Sequence, residues 1–463
     1  MNEANFGHIH SSSFRDPSGF LFWRDGTLYR QISRGYQQHY DLLMSSGLYR
    51  ELTGAGLLVA HREIPLSEHP GLPEDTYKVI APEVVPFISY PYEWCFSQLK
   101  DAALSTLEIQ RRALGRGLVL KDSSAYNIQF AGGRPTLIDT LSFEAYREGA
   151  PWIAYRQFCR HFLAPLALMS RRDTRLGQLL RVHLDGIPLD LASRLLPKST
   201  WLRFSLAAHV HAHARSERHY ERKTGRTFRG TVSRRALEAL TASLEAAVKR
   251  LKWSPSGTEW SEYYEDTNYS EQAFAQKKRL VAEFMDKVRP RTVWDLGANV
   301  GDFAVIVADC GIPCIALDLD PAAVEKNYLA CRASGRTRIL PLLVDLANPS
   351  PAIGWANKER LSLGERGPAD ACLALALVHH LAISNNLPFD RIAAFFASLC
   401  TWLLIEFVPK TDSQVQRLLA SREDVFARYT ENDFEREFSR YFTIERKESL
   451  PDGARMMYTL SRR

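Results

Sequence analysis

Three acidic residues and two glycines in the C-terminal half have the types and order of a nucleotide site. In Val293-Trp-Asp-Leu-Gly-Ala-Asn-Val-Gly-Asp-Phe-Ala304 an apolar run ends in Asp295, a turn containing Gly297 and Asn299 follows, and a helix begins near Gly301. Gly297 permits a tight turn, and Gly301 lets the backbone approach a ligand closely. The spacing is not the G-x-G-x-x-G of dinucleotide enzymes. The next apolar run ends in Ile315-Ala-Leu-Asp-Leu-Asp320. It sets Asp318 at its tip, about twenty residues past the turn, where a carboxylate can accept from two ribose hydroxyls. The third run ends at Asp345, from which a side chain reaches an adenine amino group. Each acid alone serves equally well as a helix cap or a solvated turn. In a doubly wound sheet the three tips line one crevice.

Proton-handling residues follow the fourth and fifth runs. His379 and His380 come directly after the fourth. An imidazole titrates near neutrality and can take a hydroxyl proton. Adjacent residues at a strand end point in different directions, so one of the two should face the crevice while the other packs or caps. Glu406 ends the fifth run with Lys410 just beyond it. That pair suits either the orientation of an acceptor or an ion pair at the start of the next helix. The aromatic stretch 260–269 is either a lid or an interdomain joint. Asn348-Pro349 lacks the aromatic residue and the strand position of an amino-group methylation motif, so base methylation does not follow from it.

The N-terminal half holds a second constellation. Asp122 precedes Asn127 by five positions, and Asp139 follows an apolar run after the glycines at 132 and 133. Protein kinases and aminoglycoside kinases space a catalytic aspartate, a metal-binding asparagine and a metal-binding aspartate similarly. On that reading Asp122 is a base while Asn127 and Asp139 bind magnesium. Leu120-Lys121 departs from the usual His-Arg or His-Gly. Only Leu52-Thr-Gly-Ala-Gly56 suggests a glycine-rich phosphate loop, and Lys78 is the one candidate phosphate lysine. An active phosphotransferase, an inactive kinase-like scaffold and a coincidental arrangement all remain open. His209-Val-His-Ala-His213 lacks a thiolate or carboxylate partner for zinc and reads as a solvated helix end.

These residues need elements to carry them. From residue 268 onward, strand-like runs at 292–296, 313–318, 338–345, 371–378 and 401–407 alternate with helical segments, and two late runs at 442–447 and 456–460 suit a hairpin. Continuous apolar strands separated by helices imply a parallel sheet covered on both faces. The earlier half is mixed, with strand-like runs at 77–80 and 84–90. Helical spacing follows at 94–114, at 152–169 around Pro165, and at 233–251. The chain of 463 residues calls for at least two domains. We expect an N-terminal α+β domain at 1–215, a helical connector and possible lid at 216–264, and an α/β domain at 265–463. A net charge of +6 spread over both halves argues against nucleic acid as a partner. The seven cysteines are scattered without a C-x-x-C, as for buried free thiols in a reducing compartment. The first residues carry no signal-peptide pattern, and the apolar stretch 371–383 is too short to span a membrane. The expected location is the cytoplasm.

The C-terminal residues resemble the class I S-adenosylmethionine-dependent methyltransferases. The resemblance implies a Rossmann-like seven-stranded sheet whose last strand is antiparallel, with S-adenosyl-L-methionine as cofactor. It implies that Asp295, Gly297, Asn299 and Gly301 meet the methionine end, Asp318 the ribose and Asp345 the adenine. His379, His380 and Glu406 are then the catalytic candidates, with no metal in that site. The runs 373–386 and 404–410 further resemble the rhizobial nodulation proteins of the NoeA family and their bacterial relatives, as do the phrases at 87–94 and 152–166. That resemblance implies a small-molecule or oligosaccharide acceptor of nodulation-factor or surface-polysaccharide type. A bifunctional kinase–methyltransferase and a non-catalytic ligand-binding regulator are the alternatives.

Overall fold

The computed structural model describes residues 8–215, 231–255, 270–420, 423–451 and 455–463. The chain forms two compact units, one comprising residues 1–254 with 353–360, the other 255–352 with 361–463.

The first unit is built on a five-stranded antiparallel sheet in the order β1-β2-β3-β5-β4. Its strands are β1 (His8–Ile9), β2 (Leu21–Arg24), β3 (Thr27–Ser33), β4 (His61–Ile64) and β5 (Thr76–Pro82). Asp25 and Gly26 join β2 to β3 with φ of 50° and 74°, the left-handed pair whose twist matches a two-residue hairpin. Ile32, Tyr36, Tyr40, Ile80 and Leu141 form a core beside the sheet. The run at 84–90 forms no strand. Prolines at 82, 86 and 91 remove ladder donors, and the Gln129 side chain takes the partner's place, accepting from Ser89 N at 2.8 Å and donating to Ser89 O at 2.9 Å.

Four short strands follow: β6 (Leu118–Leu120), β7 (Ile128–Ala131), β8 (Arg134–Leu137) and β9 (Phe143–Ala145), paired β6 with β9 and β7 with β8. The helix expected at 94–114 is Phe96–Gly115. The block around Pro165 is Tyr155–Phe158, a wide π-turn at Cys159–Leu163, and Ala164–Arg171. Pro165 has no N–H to give the preceding turn, and the helix widens ahead of it rather than breaking. The helix Arg234–Arg250 lies within the first unit and packs on Phe96–Gly115.

The second unit is a seven-stranded sheet in the order β12-β11-β10-β13-β14-β16-β15. The strands are β10 (Val293–Leu296), β11 (Cys314–Asp318), β12 (Ile339–Leu343), β13 (Ala369–Ala374), β14 (Cys400–Phe407), β15 (Phe442–Ser449) and β16 (Met456–Arg462). Strands β10 to β14 are parallel, and β16 runs antiparallel to both β14 and β15. Helices Glu271–Val288 and Asp302–Asp309 bury Val281, Phe284, Ala304 and Val307 against Val293, Ala316 and Leu373. The strand order reverses between β10 and β13, so the crevice at their carboxyl ends is the switch point where ligands bind in such sheets.

Candidate cofactor site

At that switch point the glycine turn and the second strand tip are tied together. Asn299 adopts φ of 49° and donates its backbone N–H to Asp318 Oδ2 at 2.7 Å. Asp320 N donates to Asp318 Oδ1 at 2.8 Å. Each carboxylate oxygen of Asp318 keeps a lone pair after these bonds. The turn below is tight: Gly297 N and Ala298 N both donate to Leu317 O, at 2.8 and 2.9 Å. Gly301 has φ of 91°, and a Cβ there would lie 2.4 Å from Asn327 Nδ2. Any side chain at 301 would therefore collide with the buried Asn327.

Asp295 is 1% exposed, and its Oδ2 has no hydrogen-bond partner among the described residues. Burial, reinforced by the negative Asp318 nearby, pushes its carboxyl up to about 7. Burial likewise pushes Asp318 up to about 6, against the pull of its backbone donors. Asp345 stands two residues past the end of β12, exposed, with Oδ1 accepting from Ala347 N at 2.8 Å. It follows Val344, whose N–H donates to Asp318 O at 2.8 Å, so the second and third strand tips are adjacent. Asp295, Gly297, Asn299, Gly301 and Asp318 are thus brought together, with Asp345 on the neighbouring tip.

The segments after β13 and β14 form the other side of the crevice. β13 stops at Ala374, earlier than the apolar run predicts, because Ala376 turns the chain with φ of 50°. Glu406, wholly buried on β14, accepts from Ala376 N at 2.8 Å, from Lys277 Nζ at 2.8 Å and from Arg455 at 3.4 Å. Arg455 also donates to Asp412 at 2.7 Å. Lys410 pairs with Asp424 at 2.8 Å rather than with Glu406. The Glu406 carboxylate thus anchors a turn and two cations, which makes it a positioning group. His379 is wholly buried with neither ring nitrogen hydrogen-bonded among the described residues, and its ring centroid lies 4.0 Å from that of half-buried His380. Burial drives His379 well below the usual imidazole range, and burial with Arg455 nearby lowers His380 to about 4. Both rings are therefore neutral at physiological pH.

Of the other sequence candidates, the aromatic stretch 260–269 lies outside the described residues. The histidines at 209–213 are not a solvated helix end. His209 bonds to Tyr155 Oη at 2.8 Å and Ser243 Oγ at 2.9 Å, and His211 to Ser193 and Thr200 at 2.7 and 2.9 Å. Leu52 to Gly56 closes the helix Leu48–Gly54, and Lys78 pairs with Glu63 on the neighbouring strand, so neither forms a phosphate loop. Asp122, Asn127 and Asp139 do come together, in the first unit.

No family model matches the chain. It is 34% identical over 458 residues to the nodulation protein NoeA of Rhizobium meliloti (strain 1021), covering 98% of this chain and 96% of that protein. The chain belongs to the NoeA family. Solved structures with partial likeness include the PH0226 protein from Pyrococcus horikoshii OT3, at 14% identity over 45% of this chain and 100% of that one with a TM-score of 0.32. Another is magnesium protoporphyrin IX methyltransferase from Synechocystis PCC 6803 with bound SAH, at 17% identity over 44% and 93% with a TM-score of 0.32. The NoeA match runs through both units, so each belongs to the common plan of the family.

Two residues of this NoeA-family site escape sequence reasoning. Lys277 sits on the apolar stripe of Glu271–Val288 with Ala273, Leu280, Val281 and Phe284, 2% exposed, its Nζ 5.0 Å from the centre of the Phe303 ring. A lysine at a core position of an amphipathic helix is the signal that could have found it. Arg455 carries no such mark, because the acids it meets, Glu406 and Asp412, lie more than forty residues away in the sequence.

Proposed function

We propose that the second unit is an S-adenosylmethionine-dependent methyltransferase acting on a small-molecule or glycan acceptor. The observation that carries this reading is the Asn299–Asp318 bond, which fixes a strand-tip carboxylate against a glycine turn at the sheet's switch point. The residues fit the group: Asp295 offers a buried carboxylate oxygen with no hydrogen-bond partner among the described residues, beside the turn that Gly297 closes with φ of 77°. In this reading Asp295, Gly297, Asn299 and Gly301 hold the methionine end, Asp318 accepts from the ribose hydroxyls, and Asp345 accepts from the adenine amino group. When bound, the cofactor supplies a sulfonium methyl group for in-line displacement.

The chain's own part is chiefly positioning. Glu406 holds the Ala376 turn, which carries the histidine pair to the crevice. His380 is the ring an acceptor can reach, and its neutral nitrogen takes the proton of an acceptor hydroxyl. His379 packs behind it. The relative's role in nodulation supports an acceptor of the signal-oligosaccharide or surface-polysaccharide kind. No helix among the described residues is long and apolar enough to cross a membrane. The scattered cysteines without a C-x-x-C support action in a reducing cytoplasm.

Calorimetric titration with S-adenosylhomocysteine tests the cofactor reading. One site is expected in the wild type and none in Asp318→Ala; unaltered binding in that variant would sink it. Mass spectrometry of surface glycans and secreted oligosaccharides, with and without the gene, then identifies the acceptor by the loss of one methyl increment.

A further inference from the structure

The first unit presents large apolar side chains to water in one short stretch. In Lys198-Ser-Thr-Trp-Leu-Arg-Phe204 every residue is exposed except Thr200, with Leu202 at 89%, Phe204 at 82% and Trp201 at 38%. Single exposed apolar residues are ordinary on a protein surface; three within four positions form a patch.

The patch stands on a fixed base. Lys198–Leu202 is a 3-10 turn, Arg203 N donates to Thr200 O at 3.1 Å, and the helix that begins at Phe204 widens into the π-turn Ala207–Ala212. Thr200 Oγ1 donates to Pro197 O at 2.6 Å, and the buried His211 ring bonds both to that hydroxyl and to Ser193 Oγ. The Trp201 ring stacks on His211, with 4.2 Å between centroids and 13° between planes, and the Arg215 guanidinium lies over the same indole at 4.3 Å. Leu202 and Phe204 therefore project from a turn whose backbone is already set, so a partner would have little left to order.

The charge along this stretch has one sign. From Leu191 to Arg215 the chain carries Arg194, Lys198, Arg203 and Arg215 and no acidic residue. Asp190, just before it, pairs with Arg194 at 3.4 Å. Arg171 adds a further cation: its Nε is buried with no hydrogen-bond partner among the described residues, and burial together with the neighbouring charge of Arg203 lowers its guanidinium below the usual value. Two guanidinium groups close enough to repel are complementary to an anion.

Both properties have to be met by one partner. A soluble anion or a nucleic acid would satisfy the arginines and leave Leu202 and Phe204 in water. An apolar protein face would cover those two and strand the cations. The boundary between anionic headgroups and acyl chains offers both phases within about 5–10 Å, and tryptophan suits the border between them. We propose that the turn Lys198–Phe204 seats the first unit on an anionic lipid bilayer. Leu202 and Phe204 enter the acyl boundary, while Lys198, Arg203, Arg171 and Arg215 lie among the headgroup phosphates. The contact is peripheral and crosses no membrane. Because the two units share one chain, it also confines the second unit to the leaflet surface, and it stands whether or not that unit transfers methyl groups.

Co-sedimentation of the full chain with extruded vesicles tests this. One set is phosphatidylcholine alone, and the other contains about one-third phosphatidylglycerol to supply the negative surface. Saturable binding to the anionic vesicles is expected, at least about tenfold stronger than to the neutral ones and weakened as salt shortens the Debye length. Lys198→Glu with Arg203→Glu should weaken it about tenfold or more, since each basic residue near such a surface is worth about fivefold. Leu202→Ser with Phe204→Ser should weaken it by a similar factor, because the apolar anchors are lost. These positions are exposed, and thermal melts identify any variant that has lost its fold. Val425→Ser, at an exposed apolar residue beside Glu423 and Asp424 in the second unit, should bind as the wild type does. Absence of binding to anionic vesicles, equal binding to neutral ones, or wild-type binding in either folded double variant would each overturn the assignment. So would a dimer in sedimentation velocity that Leu202→Ser with Phe204→Ser splits, which would give the face to a second copy of the chain.

Discussion

Lys277 Nζ and Glu406 Oε2 are 2.8 Å apart, and both side chains are shut off from solvent. The pair joins the helix Glu271–Val288 to β14 beneath the crevice, and Arg455 adds a second cation to the same carboxylate. Removing one partner from such a pair leaves an uncompensated buried charge, at a cost of about 3–5 kcal/mol. Glu406→Gln should therefore lower stability by about that amount in a denaturant titration, because buried Lys277 loses its counter-charge while Arg455 retains Asp412. It should also weaken S-adenosylhomocysteine binding, because the Ala376 turn loses its anionic anchor. Lys277→Met should cost less, since Arg455 and the Ala376 N–H still satisfy Glu406. Equal losses in the two variants would contradict this division of roles.

The strand-tip acids make binding depend on pH. Asp318 ionises at about 6 and Asp295 at about 7 in the free protein. Ribose hydroxyls donate best to an ionised carboxylate, so S-adenosylhomocysteine affinity should rise as pH increases through about 6 and level off above about 7. Stability has the opposite sign. Both folded values lie above the unfolded carboxylate value, so the contribution of these two groups is full at pH below about 4. It is lost as pH rises through about 6 to 7. Calorimetry and thermal melts between about pH 5 and pH 8 should show the ligand stabilising the protein more at the upper end. Asp318→Asn should flatten the lower limb of the affinity curve.

How much of this was legible depends on how local each determinant is. Strands β10 to β12 and β14 lie within one or two residues of their apolar runs, because alternation of apolar strands and helices is written residue by residue. The run at 371–378 overshoots β13 because a non-glycine residue, Ala376, takes a positive φ. Nothing in its own side chain announces that; the anchor is Glu406. The acids at the strand tips could be read in advance, since a tip is defined by its own strand. The buried cations could not: Lys277 is explained by a partner 129 residues away. The histidines at 209–213 look solvated among basic neighbours, yet Tyr155 and Ser243 satisfy His209, and Ser193 and Thr200 satisfy His211, from elsewhere in the fold.

The two adjacent histidines should separate cleanly by mutation. His379 is buried without hydrogen bonds among the described residues, so His379→Leu replaces unsatisfied polar atoms by apolar ones and should keep or raise the melting temperature. His380→Ala should leave the melting temperature within a few degrees while reducing transfer of labelled methyl groups into host oligosaccharide by about 10²–10⁴-fold. A reversal of these two patterns would make His379 the proton acceptor.

Gly301 links the turn to the helix Pro321–Ser334, which carries Asn327. Two separate obstacles stand against a side chain at 301: φ of 91°, and a Cβ position 2.4 Å from Asn327 Nδ2. Asn327 is 2% exposed and its Oδ1 accepts from Cys331 at 3.3 Å, so it cannot swing aside without giving up a buried contact. The backbone strain alone costs about 1–3 kcal/mol, and the collision adds to it. Gly301→Ala should therefore destabilise the second unit by at least that much in denaturant titration. In a double-mutant cycle with Asn327→Ala, Gly301→Ala should cost less in the Asn327→Ala background by the part due to collision, leaving the part due to φ. An equal cost of Gly301→Ala in both backgrounds would show that the Asn327 contact is not the obstacle.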